Sequence, residues 1–177
     1  MNRRSGLDVV VAGGGVVGAA AALMLTREGL HVALVDPREP APWARTTRDL
    51  RVFAFAPDNA ALLGDLGVWP QVQAARVQPY RGMRVWDAAG GAPLTFDADA
   101  LGQAQLGWIV ENGLLVDVLW QALRSAGVRV HCPAKIETLE QHATGVRVGL
   151  DDDVVLDARL AIAADGAHST LRTLAGI

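Results

Sequence analysis

Hydrophobic and polar positions change their spacing several times along the first 40 residues, and each change predicts a new element. Residues 9–11 are consecutive valines, which is typical of a short buried strand. After a glycine-rich turn, residues 19–25 contain only alanine, leucine and methionine, and they predict a helix that ends at Gly29. Residues 31–35 predict a second strand, which ends at Asp36. The pattern therefore predicts a βαβ unit with parallel strands and a right-handed crossover.

In the rest of the chain, the pattern of hydrophobic and polar positions is weaker but still predicts helices and strands. Residues 37–51 predict a proline- and arginine-rich loop, and helices are predicted over 57–66, over 114–126 and from residue 168 or 169 onward. Short strands are predicted over residues 83–86, 94–96, 128–130, 135–140, 145–150, 154–156 and 160–163. The three strands between residues 135 and 156 are expected to form an antiparallel β-meander. The predicted fold is a doubly wound α/β domain with this meander inserted late in the chain.

An uncharged run from Val9 to Thr26 raises the question of a membrane span or a signal peptide. Arg3 and Arg4 precede the run, as in a twin-arginine signal. However, the glycine-rich turn interrupts the run, and Asp8 is unfavourable beside an apolar signal core. We therefore expect a strand, a turn and a helix here, with neither a membrane span nor a cleaved signal.

Composition narrows the class of protein further. The chain has 177 residues, of which 51% are hydrophobic and 20% are charged, and its net charge is −3. These values predict a folded globular domain and give no reason to expect a nucleic-acid partner. Cys132 is the only cysteine and the histidines are dispersed, so neither an internal disulfide nor a metal site is expected.

The glycine-rich turn carries the most specific chemistry in the sequence. Gly13-x-Gly15-x-x-Gly18 lies between the first predicted strand and helix, and Asp36 ends the second strand. Gly13 permits the tight turn, Gly15 lets a diphosphate approach the backbone, and Gly18 lets helix and strand pack closely. The amino end of the helix favours the diphosphate, and Asp36 is placed to bind ribose hydroxyls. A turn that serves packing only is the alternative, but the combination predicts dinucleotide binding.

The spacing beyond the turn favours one dinucleotide over another. Ala22, Leu25, Gly29 and Val32 continue the pattern up to Asp36. This long form is similar to the FAD-binding signature of the glutathione-reductase-like flavoproteins. It favours FAD over NAD and implies a Rossmann-like FAD-binding domain.

Three further segments make the resemblance specific. They are Asp-Leu-Arg-Val at 49–52 with Leu-Gly-Val-Trp at 66–69, Ile-Val-Glu-Asn at 109–112, and the Asp-Gly segment at 164–172. Together they resemble the p-hydroxybenzoate-hydroxylase class of FAD-dependent aromatic monooxygenases. Within that class, the chain is most similar to the ubiquinone-biosynthesis hydroxylases.

The resemblance implies roles for several residues. Arg51 matches an arginine that lies against the FAD diphosphate, and Asn112 matches a residue that contacts FAD. Asp165 and Gly166 match a motif that contacts FAD and is implicated in NAD(P)H binding, and Arg172 is expected to hold that motif in place. The alternatives are a surface arginine at residue 51 and an ordinary strand-to-helix turn with an aspartate cap at residue 165.

The function implied is hydroxylation of an aromatic ring with NAD(P)H as reductant and O₂ as the oxygen source. A polyprenylated phenol or quinol precursor of ubiquinone is the expected substrate. The alternatives are a hydroxylase of a small soluble aromatic compound, an NAD-dependent dehydrogenase and a non-catalytic member of a biosynthetic complex. No catalytic residue is predicted, because the flavin itself carries the chemistry in this class.

The resemblance also predicts how much of such an enzyme the chain represents. Residues 1–177 are expected to be the N-terminal FAD-binding domain, without the family's second FAD motif and substrate-binding half. The chain alone is therefore expected to be inactive. The expected location is cytoplasmic, with peripheral association at the inner membrane or with a biosynthetic complex.

Overall fold

The structure is a computed structural model that describes residues 6–177, which fold as two units. The first unit combines residues up to 42 with residues 116–177, and the second contains residues 43–115. Arg3 and Arg4, on which the twin-arginine question depends, lie outside the described residues.

The described residues form eleven strands and five helices. The strands are β1 (Leu7–Ala12), β2 (Val32–Val35), β3 (Val52–Phe55), β4 (Gln78–Tyr80), β5 (Gly82–Val85), β6 (Leu94–Asp97), β7 (Gly107–Glu111), β8 (Arg129–His131), β9 (Ile136–His142), β10 (Gly145–Leu150) and β11 (Val155–Ala163). The helices are α1 (Val16–Arg27), α2 (Pro57–Asp65), α3 (Trp69–Ala75), α4 (Asn112–Ser125) and α5 (Thr170–Leu174).

The first unit is built on a mixed sheet with the strand order β8-β2-β1-β11-β10-β9. Strand β1 pairs in parallel with β2 and β11, and β2 pairs in parallel with β8. Val10, Val11, Ala33 and Leu34 on the central strands are fully buried. These pairings confirm the predicted βαβ unit and the α/β fold class.

The antiparallel part of the sheet was predicted correctly in type but not in its strand boundaries. Residues 154–156 and 160–163 were predicted as separate strands, whereas β11 runs through both without a break. Leu156 and Ala158 are buried while Asp157 between them is exposed and pairs with Arg147 on β10, so the alternation of one continuous strand is kept. Strand β11 thus lies between β1 and β10, and it connects the antiparallel strands to the parallel ones, with β9 at the edge beyond β10.

The second unit contains the sheet β3-β7-β4, the hairpin β5-β6, and helices α2 and α3. The hairpin and α2 agree with the prediction. The sequence analysis missed β3, β4, β7 and α3, because these elements are only three to seven residues long and β3 has little buried surface.

The uncharged run near the N-terminus has the predicted form. It contains most of β1, the glycine-rich turn and most of α1. Among the helices of residues 6–177, none is both long enough and apolar enough to cross a membrane.

Candidate functional site

The glycine-rich turn between β1 and α1 contains glycines of two kinds. Gly13 has a φ of +96°, and a Cβ on it would lie 2.4 Å from the Ala164 carbonyl oxygen. A Cβ on Gly18 would lie 1.9 Å from the Gly13 carbonyl oxygen. In contrast, a Cβ on Gly15 would meet no atom within 4 Å, and its φ of −66° is an ordinary one. Gly13 and Gly18 therefore allow close packing, whereas Gly15 faces open space.

Gly15 is also the N-cap residue of α1. No side chain caps this end of the helix, and no acidic residue lies in its first turn. The backbone N–H groups of a first helical turn lack partners within the helix, and the helix dipole adds partial positive charge. The turn therefore offers an anion both backbone donors and space.

Asp36 follows β2 and contacts the glycine-rich turn. Its Oδ2 accepts a hydrogen bond from the Gly14 N–H at 2.6 Å, and its Oδ1 accepts one from the Arg38 N–H at 2.8 Å. The sequence analysis predicted Asp36 only as a ribose ligand. In the structure it also holds the turn in place.

A cleft of about 370 Å³ lies along the carboxyl ends of β1 and β2. Three predicted site residues line it, Gly13, Asp36 and Asp165. The remaining wall includes Arg38, Lys135, Ile136, His168 and Thr170. The fold thus brings the glycine-rich turn and the Asp-Gly segment together, although about 150 residues separate them in sequence.

The Asp-Gly segment forms a tight connection between β11 and α5. Asp165 accepts hydrogen bonds from the Ser169 hydroxyl at 2.5 Å and from the Leu171 N–H at 3.1 Å. Burial alone would raise the pKa of Asp165, but these hydrogen bonds outweigh it and lower the pKa below 3.8. Gly166 has a φ of +86°, as the turn requires. Arg172 donates to the Ala167 carbonyl at 3.2 Å, in agreement with its expected supporting role.

Arg51 and Asn112 lie side by side in the second unit. The Asn112 N–H donates to the Arg51 carbonyl at 2.9 Å, immediately beyond the paired residues Val52 and Glu111. The Asp49 carboxylate accepts hydrogen bonds from the N–H groups of Arg51 and Gly113, each at 2.9 Å, and these contacts lower its pKa. The Arg51 side chain is 81% exposed, so its guanidinium is accessible to a ligand.

The sequence analysis missed the role of Glu111 within its motif. Glu111 is only 7% exposed, and it accepts hydrogen bonds from Trp43 and Arg76, each at 2.7 Å. Burial would raise the pKa of Glu111, but the hydrogen bonds and the charge of Arg76 outweigh it and lower the pKa. Arg76 also donates to the carbonyls of Arg45 and Thr47, and so it fixes the loop that precedes Arg51.

Trp120 is a second residue that the sequence analysis missed. Its indole Nε1 donates a buried hydrogen bond to the Gly14 carbonyl at 2.7 Å. The five tryptophans are scattered along the sequence without a regular spacing, so no pattern singles out Trp120. Among residues 6–177, no cluster of histidine, cysteine and acidic side chains could hold a metal ion.

Comparison with known proteins agrees with this geometry. A family model described as FAD binding domain matches residues 6–177. The 3-demethoxyubiquinol 3-hydroxylase of Escherichia coli (strain K12) is 38% identical, over 96% of this chain and 44% of that protein. Ubiquinone hydroxylase UbiL of Rhodospirillum rubrum is 34% identical, over 96% of this chain and 39% of that protein. The chain therefore spans less than half the length of these relatives.

Solved structures share the fold. The flavin-dependent monooxygenase PieE, solved in complex with FAD and substrate, has a TM-score of 0.78 at 22% identity over 99% of this chain and 33% of that one. PqsL from Pseudomonas aeruginosa, described as a probable FAD-dependent monooxygenase, has a TM-score of 0.76 at 21% identity over 98% of this chain and 46% of that one. These similarities confirm the predicted fold class.

Proposed function

The chain belongs to the FAD binding domain family, and from this premise we propose that it binds FAD at the glycine-rich turn. The observation that carries the proposal is the contrast among the glycines. Gly13 and Gly18 have no room for a side chain, whereas Gly15 has open space around it at the amino end of α1. A turn that served packing only would have no need of a glycine at residue 15, where the backbone is unstrained.

Each part of the cofactor has a partner of suitable chemistry in this proposal. The FAD diphosphate lies against Gly15 and the first turn of α1, which supply N–H donors and partial positive charge. The adenosine ribose binds Asp36, whose carboxylate oxygens retain acceptor capacity beyond the Gly14 and Arg38 contacts. Asp165, which lines the same cleft, contributes to the site together with Gly166, the next residue in the chain.

Arg51 and Asn112 complete the proposed set of FAD contacts. Their assignment comes from the family resemblance, and the exposed Arg51 guanidinium supports it. A guanidinium binds a diphosphate through two parallel hydrogen bonds, which a lysine ammonium does not reproduce.

The proposed activity of the complete gene product is hydroxylation of an aromatic ring with NAD(P)H and O₂. When bound, FAD supplies the redox chemistry, and the residues described here bind and orient it. The names of the relatives support a substrate from ubiquinone biosynthesis, for which we propose a polyprenylated phenol or quinol. Such a substrate favours a cytoplasmic protein that associates peripherally with the inner membrane. The 177 residues alone are proposed to bind FAD weakly and to hydroxylate nothing.

The cofactor proposal is tested on the purified complete gene product. The cofactor is released by heat and identified by mass spectrometry, and we expect FAD. Recovery of FMN, of NAD or of no cofactor from folded protein would contradict the proposal.

The substrate proposal needs a separate experiment. Hydroxylated product is extracted after incubation of the enzyme with cell lipid and NADH or NADPH, and we expect it to partition into organic solvent as a polyprenyl compound does. Turnover of a water-soluble aromatic acid, with no lipid product, would support the small-aromatic alternative instead.

A further inference from the structure

We propose that Trp120 is a positioning residue for the FAD diphosphate, and this inference rests on the proposed FAD site. Trp120 lies on α4, is 2% exposed, and donates from its indole Nε1 to the Gly14 carbonyl at 2.7 Å. It therefore reaches the glycine-rich turn from the protein interior.

This hydrogen bond determines where the next backbone donor points. The Gly14 carbonyl and the Gly15 N–H belong to the same peptide group, and in a trans peptide the two bonds point in opposite directions. Because the carbonyl points inward to Trp120, the Gly15 N–H points away from the indole. Around Gly15 the surroundings are open, since a Cβ there would meet no atom within 4 Å. The indole thus directs the Gly15 N–H toward the proposed diphosphate position.

The peptide group before it is fixed from another side. The Gly14 N–H donates to Asp36 Oδ2 at 2.6 Å, so both polar backbone groups of Gly14 are held by side chains. The two side chains come from distant parts of the sequence. Together they allow the turn little freedom to rotate away from a ligand.

Trp120 also explains why residue 14 is a glycine. A Cβ on Gly14 would lie 2.5 Å from Cζ2 of the Trp120 ring, which is closer than real carbon atoms approach. The Gly14 position is therefore dictated by the indole, whereas Gly15 is dictated by the proposed ligand.

The indole is held in turn by charged residues. The Arg124 guanidinium lies 5.7 Å from the centre of the Trp120 ring, and Arg124 forms an ion pair with Glu39. Contacts of this kind are individually weak at an exposed site, but they restrict the orientation of the ring. They extend the support of the turn to the segment that follows Asp36.

The test compares ligands with and without a diphosphate in the complete gene product. Trp120→Phe keeps an aromatic ring but removes the N–H donor. We expect about tenfold weaker binding of FAD and of ADP, with adenosine binding unchanged. Trp86→Phe, at a tryptophan that is 70% exposed, is the control and is expected to leave all three dissociation constants unchanged.

A second pair of variants tests the same contact from the other side. Gly14→Ala is expected to weaken ADP binding because its Cβ collides with the indole. Adding Trp120→Phe removes the atom Cζ2, so the double variant is expected to lose less affinity than the two single losses combined. If Trp120→Phe does not fold, Gly14→Ala alone still tests the contact, because its Cβ displaces the indole, and its ADP binding is compared with its adenosine binding.

Several results would overturn the inference. Unchanged ADP binding by Trp120→Phe would show that the indole does not position the turn. An equal loss of ADP and adenosine binding would show general damage to the fold. Wild-type protein that binds neither FAD nor ADP would instead overturn the proposed function, and the inference with it.

Discussion

The backbone N–H of Gly14 donates to the carboxylate of Asp36 at 2.6 Å, although the two residues are 22 positions apart. The contact joins the turn after β1 to the residue that follows β2. The Asp36 carboxylate therefore holds the turn in the unliganded protein, and in the proposed complex it faces the ribose. Substitution of Asp36 should affect both the turn and FAD binding.

For Asp36→Ala we expect FAD to bind about tenfold to a hundredfold more weakly, since one hydrogen bond to a charged acceptor is worth roughly 1.5–3 kcal/mol. Titration of apoprotein with FAD, followed by flavin fluorescence quenching, measures the change. Asp87→Ala is the matched control, because Asp87 accepts a hydrogen bond from the N–H two residues later, as Asp36 does. A dissociation constant within about twofold of wild type would make Asp36 a turn residue only.

For Gly15→Val we expect loss of FAD binding without loss of folding. The valine side chain has open space and an unstrained backbone in the unliganded protein, but it occupies the proposed diphosphate position. Circular dichroism and thermal unfolding check the fold, and FAD titration checks binding. Gly6→Val, also at a residue with no atom within 4 Å of the added Cβ, is the control. If folded Gly15→Val binds FAD with full affinity, the diphosphate does not bind at this turn.

For Arg51→Ala we expect about tenfold to a hundredfold weaker FAD binding, through loss of charge-assisted hydrogen bonds to the diphosphate. Arg51→Lys should fall between this variant and wild type, because it keeps the charge but not the planar donors. Unfolding midpoints should not change, since the Arg51 side chain is exposed. Arg84→Ala, at an exposed residue of β5, is the control. If all these variants bind FAD as tightly as wild type, Arg51 is a surface residue that does not contact FAD.

The ion pair between buried Glu111 and partly buried Arg76 predicts a dependence of stability on pH. In the folded state the pKa of Glu111 lies below its ordinary value of 4.5. The stability that the Glu111 carboxylate contributes is therefore fully present above pH 4.5 and is lost as the pH falls through the lowered pKa. We expect Glu111→Gln to be less stable than wild type by roughly 1–3 kcal/mol at neutral pH. Urea unfolding between about pH 6 and about pH 3 should show a shallower loss of stability in the variant.

The control for this experiment is Glu137→Gln, at an exposed residue of β9. We expect its stability to follow the wild-type curve over the whole pH range. Parallel curves for wild type and Glu111→Gln would contradict a stabilising role for the Glu111 carboxylate.

The sequence by itself determined the elements whose patterns are local. Three valines, the glycine spacing and Asp36 are sufficient for the βαβ unit, because strand, turn and helix each depend on nearby residues. The same local reasoning identified the candidate residues Gly13, Gly15 and Gly18. It failed at β11, which it divided into two strands, because only pairing with β10 on one side and β1 on the other makes residues 155–163 one continuous strand.

Only the tertiary structure decided which of these residues meet and what holds them. Trp120 lies 106 positions after its partner Gly14, and Glu111 lies 68 positions after its partner Trp43, so no local pattern links either pair. Both contacts satisfy polar groups inside the protein, where an unpaired donor or acceptor is costly. Which residues become partners depends on how close they lie in the folded protein. The spacing of residues in the sequence therefore could not reveal these contacts.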